Sequence, residues 1–183
     1  MYWEKPGKQN TVKTLEVVKN AVKERGIKHV VVASCEGYTA KLFQEANLGV
    51  NLVCVTHAAG FKAPGEMEMP DDVRRELTES GVKVLTATHI LSGAERGISR
   101  KFGGAYPVEI IAHTLRMLGQ GTKVCVEIAV MALDAGLIPH NEDVIAVGGS
   151  SEGADTAVII KPAHASNIFD TWISEIICKP ANK

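Results

Sequence analysis

Short, largely apolar segments alternate along this chain with amphipathic helical patterns, and that alternation narrows the possible folds more than any other feature. His29–Ala33 and Leu52–Val55 are nearly continuous apolar runs, as expected of parallel strands covered on both faces. Val82–Leu85, Asp143–Val147 and Thr156–Ile160 are three more, and Trp172–Cys178 reads as a last strand or an edge segment. Helical spacing fills the intervals at Thr11–Arg25, Tyr38–Ala46, Asp71–Ser80, Pro107–Leu118 and Thr122–Ala135. In the first helix Val12, Leu15, Val18 and Val22 make an apolar stripe, Asn10 stands at the N-cap position, and Gly26 at the stop. Pro70 and Pro107 open later helices. Such an alternation calls for a parallel-rich sheet with helices on both faces. A chain of 183 residues with no repeat, linker or low-complexity tract fits one α/β domain over 1–183.

Composition excludes several function classes. The formal charge is −1, Lys and Arg are scattered, and aromatic residues make up 5%. Neither a phosphate-tracking groove nor a base-stacking platform is indicated, so no nucleic-acid partner is expected. Met1-Tyr2-Trp3-Glu4-Lys5-Pro6 has no apolar core of a signal peptide. No apolar run approaches the ~20 residues that span a bilayer, so a cytoplasmic protein without a membrane partner is expected. Cys35, Cys54, Cys125 and Cys178 form no CxxC pair, which argues against zinc ribbons and redox dithiols. No His–x₃–His or similar ligand spacing occurs, and no metal site is expected. Cys54 and Cys178 lie in apolar segments and read as core thiols. Cys35 stands before a helix, where a thiol pKa can fall and reactivity rise, although a thiol tucked under a turn is the commoner situation.

Ligands of parallel sheets bind beyond the carboxyl ends of the strands. The polar, glycine-containing segments Ser34–Thr39, Thr56-His57, Thr86–His89 and Gly148–Asp155 all fall at such ends. From Val30 to Phe43 the chain passes from strand through a polar turn into a helix. A helix start leaves backbone N–H groups unpaired, and with the Ser34 and Thr39 hydroxyls these form an anion site whose usual occupant is phosphate. The same stretch also fits an ordinary strand-to-helix connection with a hydroxyl cap. Thr56-His57 and Thr88-His89 repeat one dipeptide after successive strands. These imidazoles could bond a ring or phosphate, carry protons, or simply bond neighbouring loops. Ile90–Ala105 reads as a long loop, in which Arg96, Arg100 or Lys101 could clamp a phosphate or serve as surface charge. On the apolar helix after Gly121, Lys123, Glu127 and Asp134 share one narrow stripe; Glu127 could be an interior acid, but its stripe-mates favour a solvated face.

Val31-Val32-Ala33-Ser34-Cys35-Glu36-Gly37-Tyr38-Thr39-Ala40-Lys41-Leu42 resembles the strand–turn–helix of the pyruvate kinase C-terminal alpha/beta domain. There a hydroxyl- and glycine-containing turn precedes a helix beginning (Ser/Thr)-Ala-(Arg/Lys)-Leu. Gly148–Ile160 resembles that domain's closing segment, a Gly/Ser-rich loop followed by a last apolar strand, here Asp155-Thr156-Ala157-Val158-Ile159-Ile160. The chain looks like the stand-alone archaeal and bacterial relatives that lack the kinase barrel. The resemblance implies a three-layer α/β/α sandwich of strand order 3-2-1-4-5, mostly parallel with the fifth strand antiparallel. It would place loops 34–39 and 148–155 on either side of one cleft. In allosteric pyruvate kinases the equivalent cleft holds a sugar phosphate effector; for the stand-alone group the implied ligand is flavin mononucleotide (FMN). Two departures stand out. Cys35-Glu36 replaces small hydroxyl residues, so the acid must point to solvent. Ile90–Tyr106 has no counterpart in the kinase domain.

The expected function is therefore binding of a phosphorylated small molecule, with FMN as cofactor. Its expected contacts are Ser34, Glu36, Gly37, Tyr38, Thr39, Thr56, His57, Thr86, Thr88, His89, Arg96, Gly148, Gly149 and Ser150. No catalytic residue is assigned. The alternatives are a flavin-dependent oxidoreductase, a hydrolase using Cys35, His57 or His89, and a sugar-phosphate sensor. With no barrel, metal-binding acid pair or Walker lysine motif, kinase activity is not expected. The apolar coat of helix 122–135, with Ile110, Ile111 and Leu115 on the preceding helix, suggests a homo-oligomer.

Overall fold

The computed structural model describes residues 1–182. The β-branched runs pair as expected. His29–Ala33 (β2) lies between Asn51–Val55 (β3) and Val144–Gly148 (β5), parallel to both, and Lys83–Leu85 (β4) continues the sheet beyond β3. Thr156–Lys161 (β6) runs antiparallel to β5 and to Trp172–Pro180 (β7). Tyr2–Trp3 (β1) pairs in parallel with β7, which gives the order β1-β7-β6-β5-β2-β3-β4. The central five strands thus have the expected 3-2-1-4-5 order, with β6 alone running against the rest. Strand β7 is longer than its apolar run, and β1 is too short to show any periodicity. Trp3 anchors β1, donating its indole N–H to the Asp155 carbonyl at 2.8 Å.

Strand side chains alternate between two cores. Val30 and Val32 face Val18, Phe43 and Leu77 on helices α1 (Thr11–Arg25), α2 (Tyr38–Glu45) and α3 (Asp71–Glu79). Val31, Val53 and Ala146 face the helix Gln120–Asp134. Three layers result, as the alternation requires. In α1 the buried side is Thr11, Thr14, Val18, Ala21 and Val22, while Val12 is exposed. The apolar stripe is therefore rotated from the expected one, because two threonines face the loop after β5, where the Thr14 hydroxyl donates to the Ala154 carbonyl. Asn10 does not cap α1; its amide donates to the carbonyls of Lys5 and Gly7.

Two expectations are corrected on the other face. Gly93–Phe102 is a helix (α4) rather than loop, followed by Pro107–Arg116 (α5). Glu95 in its first turn and Arg100 and Lys101 in its last suit the helix dipole. Glycines at 93, 97, 103 and 104 conceal that pattern in the sequence. The helix Gln120–Asp134 (α6) lies between the sheet and α5, and its Lys123–Glu127 pair is buried, not solvated. Asp134 is exposed and bonds His164.

No helix among the described residues is long and apolar enough to cross a membrane. Gly121 lets α6 start directly against β6: a Cβ there would lie 2.5 Å from the Thr156 Cβ. Backbone cannot shift far at a helix start wedged on a strand. Gly121→Ala is expected to destabilise the fold by about 1–3 kcal/mol, read as a lower urea midpoint at unchanged slope.

Candidate functional site

The site grows from the junction of β2 and α2. Ser34 N–H closes the sheet on the Val55 carbonyl at 3.0 Å. The chain then reverses through Gly37, whose φ of 99° suits glycine and whose missing Cβ leaves room for Val73. The Ser34 hydroxyl accepts the Ala40 N–H at 3.3 Å. The amides of Gly37, Tyr38 and Thr39 find no acceptor among the described residues, nor does the Thr39 hydroxyl find a partner. Thr39 is buried yet lines a cleft of about 410 Å³. Across that cleft stands the 149–153 loop. The buried Asp155 carboxylate holds it, accepting the N–H groups of Ser150 at 3.2 Å and Gly7 at 2.9 Å and the Thr156 hydroxyl at 2.7 Å. Glu36 is exposed and paired with Lys62 at 3.7 Å, and Glu152 with Lys8 at 3.4 Å. Both acids on the rim are thus opposed by lysines.

A second lobe of about 200 Å³ opens beside the first, and Ala33, Cys35, His57, Gln120 and Val124 line both. His57 stacks on Phe61 with centroids 3.8 Å apart, bonds Glu68 through Nδ1 at 2.7 Å, and meets His89 edge-on at 5.3 Å. Arg96, Arg116 and Lys123 bring three cations to the inner wall, against Glu127. Glu127 accepts from Lys123 and from the Leu91 N–H at 3.0 Å, so this buried carboxylate is satisfied twice. Burial lowers the Lys123 pKa against the opposing pull of Glu127, and burial lowers that of His89. The Cys35 thiol is pushed up to about 11, first by burial and then by the Glu68 charge. It is a protonated thiol at neutral pH, not the activated thiolate that a helix start can produce.

The structure brings Ser34, Glu36, Tyr38, Thr39, His57, Gly149 and Ser150 to the outer lobe, and Thr56, His57, His89 and Arg96 to the inner one. Gly37 shapes the turn from behind. Thr86 stands away from both lobes, bonded to Thr56 at 2.6 Å and to Arg74. Thr88 is exposed outside the lining, and Gly148 is buried against the Gly121 carbonyl and Val124. Of the two arginines expected to clamp a ligand, Arg96 lines the inner lobe and Arg100 faces solvent. Sequence reasoning missed Lys8, Phe61, Glu68, Arg116, Gln120, Lys123 and Glu127. The helical phase of Lys123 and Glu127 was visible; their burial depends on how α5 and residues 89–96 pack against them, which no local pattern foretells.

A parallel-rich α/β sandwich with a ligand-sized cleft at the carboxyl strand ends defines the class. Residues 12–160 match the model of the pyruvate kinase alpha/beta domain, and the chain belongs to that family. Similar solved structures include a pyruvate kinase from Cryptosporidium parvum, CGD1_2040, at 17% identity and a TM-score of 0.42, with 85% of this chain and 23% of that one covered. Another Cryptosporidium parvum pyruvate kinase structure matches at 18% identity and a TM-score of 0.39, over 79% of this chain and 21% of that one. A third, in complex with ADP, matches at 16% and 0.41, over 91% and 23%. The chain spans less than a quarter of the length of these kinases.

The Lys123–Glu127 pair supplies the test of the inner wall. Lys123→Met leaves a buried carboxylate without its cation and is expected to cost about 3–5 kcal/mol. Adding Glu127→Gln removes the charge while keeping an acceptor for the Leu91 N–H. Chemical denaturation of the double variant should recover most of the loss.

Proposed function

We propose that the cleft binds a phosphorylated small molecule, FMN, with its phosphate at the start of α2 and its ring in the inner lobe. The observation that carries this reading is the set of unpaired donors at that helix start: the amides of Gly37, Tyr38 and Thr39 and the Thr39 hydroxyl. Such donors, aligned with a helix dipole, favour a dianion. The 149–153 loop offers further backbone amides from the opposite wall. Three features of the inner lobe favour a flat, electron-accepting ring over a sugar. Phe61, His57 and His89 supply aromatic edges and faces. Gln120 can donate to ring carbonyls. Arg96, Arg116 and Lys123 would stabilise negative charge developing on a reduced ring. No side chain among these is assigned to a reaction step, and whole-kinase activity is no part of the reading.

Titration of the stripped protein with FMN, riboflavin and fructose bisphosphate separates the readings. FMN is expected to bind with flavin-fluorescence quenching and riboflavin at least tenfold more weakly. Loss of one hydrogen bond to a charged group costs roughly 1.5–3 kcal/mol. Thr39→Val should therefore weaken FMN by about tenfold or more without unfolding the domain, and Arg96→Ala should speed FMN release. Equal affinity for riboflavin and FMN, or unchanged affinity in Thr39→Val, would remove the phosphate anchor.

We also propose that the chain self-associates through the part of the expected surface carried by α5, since most of the α6 coat is covered by α5 and the sheet. The exposed apolar surface lies instead between α5 and residues 165–173, where Ile110, Phe169 and Trp172 face solvent beside a groove of about 590 Å³. Sedimentation at micromolar concentration should give a dimer or larger species, with Phe169→Glu shifting it to monomer. A wild-type monomer rejects the proposal.

A further inference from the structure

We propose that Cys35, His57 and Glu68 form a binding site for a zinc-class divalent ion at the neck between the two lobes. Their donor atoms, the thiol sulfur, one imidazole nitrogen and one carboxylate oxygen, lie within 4.8 Å of one another. The residues come from three separate segments: the turn after β2, the end of β3, and the proline- and glycine-containing stretch before α3. No ligand spacing in the sequence could announce them, which is why none was expected there. In a tetrahedral zinc site, bond lengths of about 2.0–2.3 Å put donor atoms roughly 3.3–3.6 Å apart. The His57–Glu68 hydrogen bond, at 2.7 Å, would open slightly and the sulfur would close in.

Three observations favour an ion over the alternatives. The acids around the outer lobe are otherwise accounted for: Glu36 faces Lys62 and Glu152 faces Lys8, while Glu68 forms no lysine or arginine pair among the described residues and bonds His57. Burial and the Glu68 charge together hold Cys35 in its neutral thiol form, and a cation bound between them would remove that penalty on the thiolate. His57 is already oriented, its ring fixed by the Phe61 stack and its Nδ1 turned to Glu68, so little freedom is lost on coordination. A Cys–His–Glu nucleophilic triad would need the thiol hydrogen-bonded to the imidazole, and no such bond occurs among the described residues. Thiolate plus imidazole selects zinc, cobalt and their neighbours over magnesium or calcium. Three protein ligands leave a fourth position, as in catalytic rather than structural zinc sites, and all three residues line the outer lobe. The site shares Cys35 and His57 with the inner lobe but uses none of the phosphate-anchor donors at Gly37, Tyr38 and Thr39, and ion binding does not depend on FMN.

Cobalt(II) titration of chelator-stripped, FMN-free protein tests this directly. The expected result is one ion per chain, a thiolate-to-cobalt charge-transfer band, and competition by zinc but not by excess magnesium. Coordination must displace the Cys35 proton, so affinity should rise about tenfold per pH unit through the neutral range. Cys35→Ser should abolish the charge-transfer band, and Glu68→Gln should weaken binding tenfold or more. Circular dichroism melts of each variant check that the fold survives, and Glu68, in a surface segment, is the variant least able to disturb it. No cobalt spectrum, a band that persists in Cys35→Ser, or affinity unchanged in folded Glu68→Gln would each overturn the site.

Discussion

Enclosure of α6 is the constraint on which the rest of the arrangement depends. One side of the helix covers β5, β6, β2 and β3, and the other is covered by α5. Its apolar circumference follows directly from having no solvent side over most of its length. Its first turns nevertheless reach the carboxyl edge of the sheet, where the strands end in polar loops. Lys123 and Glu127 are the consequence: charges that a core helix tolerates only as a mutually satisfied pair. Because the Glu127 carboxylate also accepts the Leu91 N–H, the segment leading into α4 is tied to the same point. The inner lobe is thus walled by groups whose positions are set by folding itself.

The reversed strand β6 has a comparable reach. Running against β5, it starts at the carboxyl edge, so the 149–153 loop is a tight return instead of a crossover. That return faces the start of α2 across the cleft, since β2 neighbours β5. The two walls of the cleft are far apart in the chain and adjacent in the sheet.

Much of this architecture was legible from residues. Apolar runs located β2, β3, β4, β5 and β6, and the glycine-hydroxyl turns marked the carboxyl edge, where the cleft lies. What escaped was whatever required knowing a neighbour. A Lys–Glu stripe at helical spacing looks the same whether it faces water or a buried cavity, and only the packing of α5 and of the segment before α4 decides between them. Glycines hid α4 because helix propensity is a weak prior beside tertiary contact. Glu68 lies among prolines and glycines with no periodicity, so nothing local connects it to His57. Thr86 and Thr88 sat at the right strand end, but Arg74 and Thr56 claim the first and the second turns outward.

The Asp155 carboxylate gives the glycine-rich loop a character its composition disguises. Gly148, Gly149 and Gly153 would leave an isolated peptide highly mobile, yet three donors converge on one buried anion and hold the return in place. The entropy of ordering those residues is lost once, during folding, and is not lost again when a ligand arrives. Encounter with this mouth is then governed by diffusion and orientation, without a waiting time for loop closure. Selectivity on that wall must come from shape presented in advance, because the wall has little capacity to remould itself around a poorly matched guest.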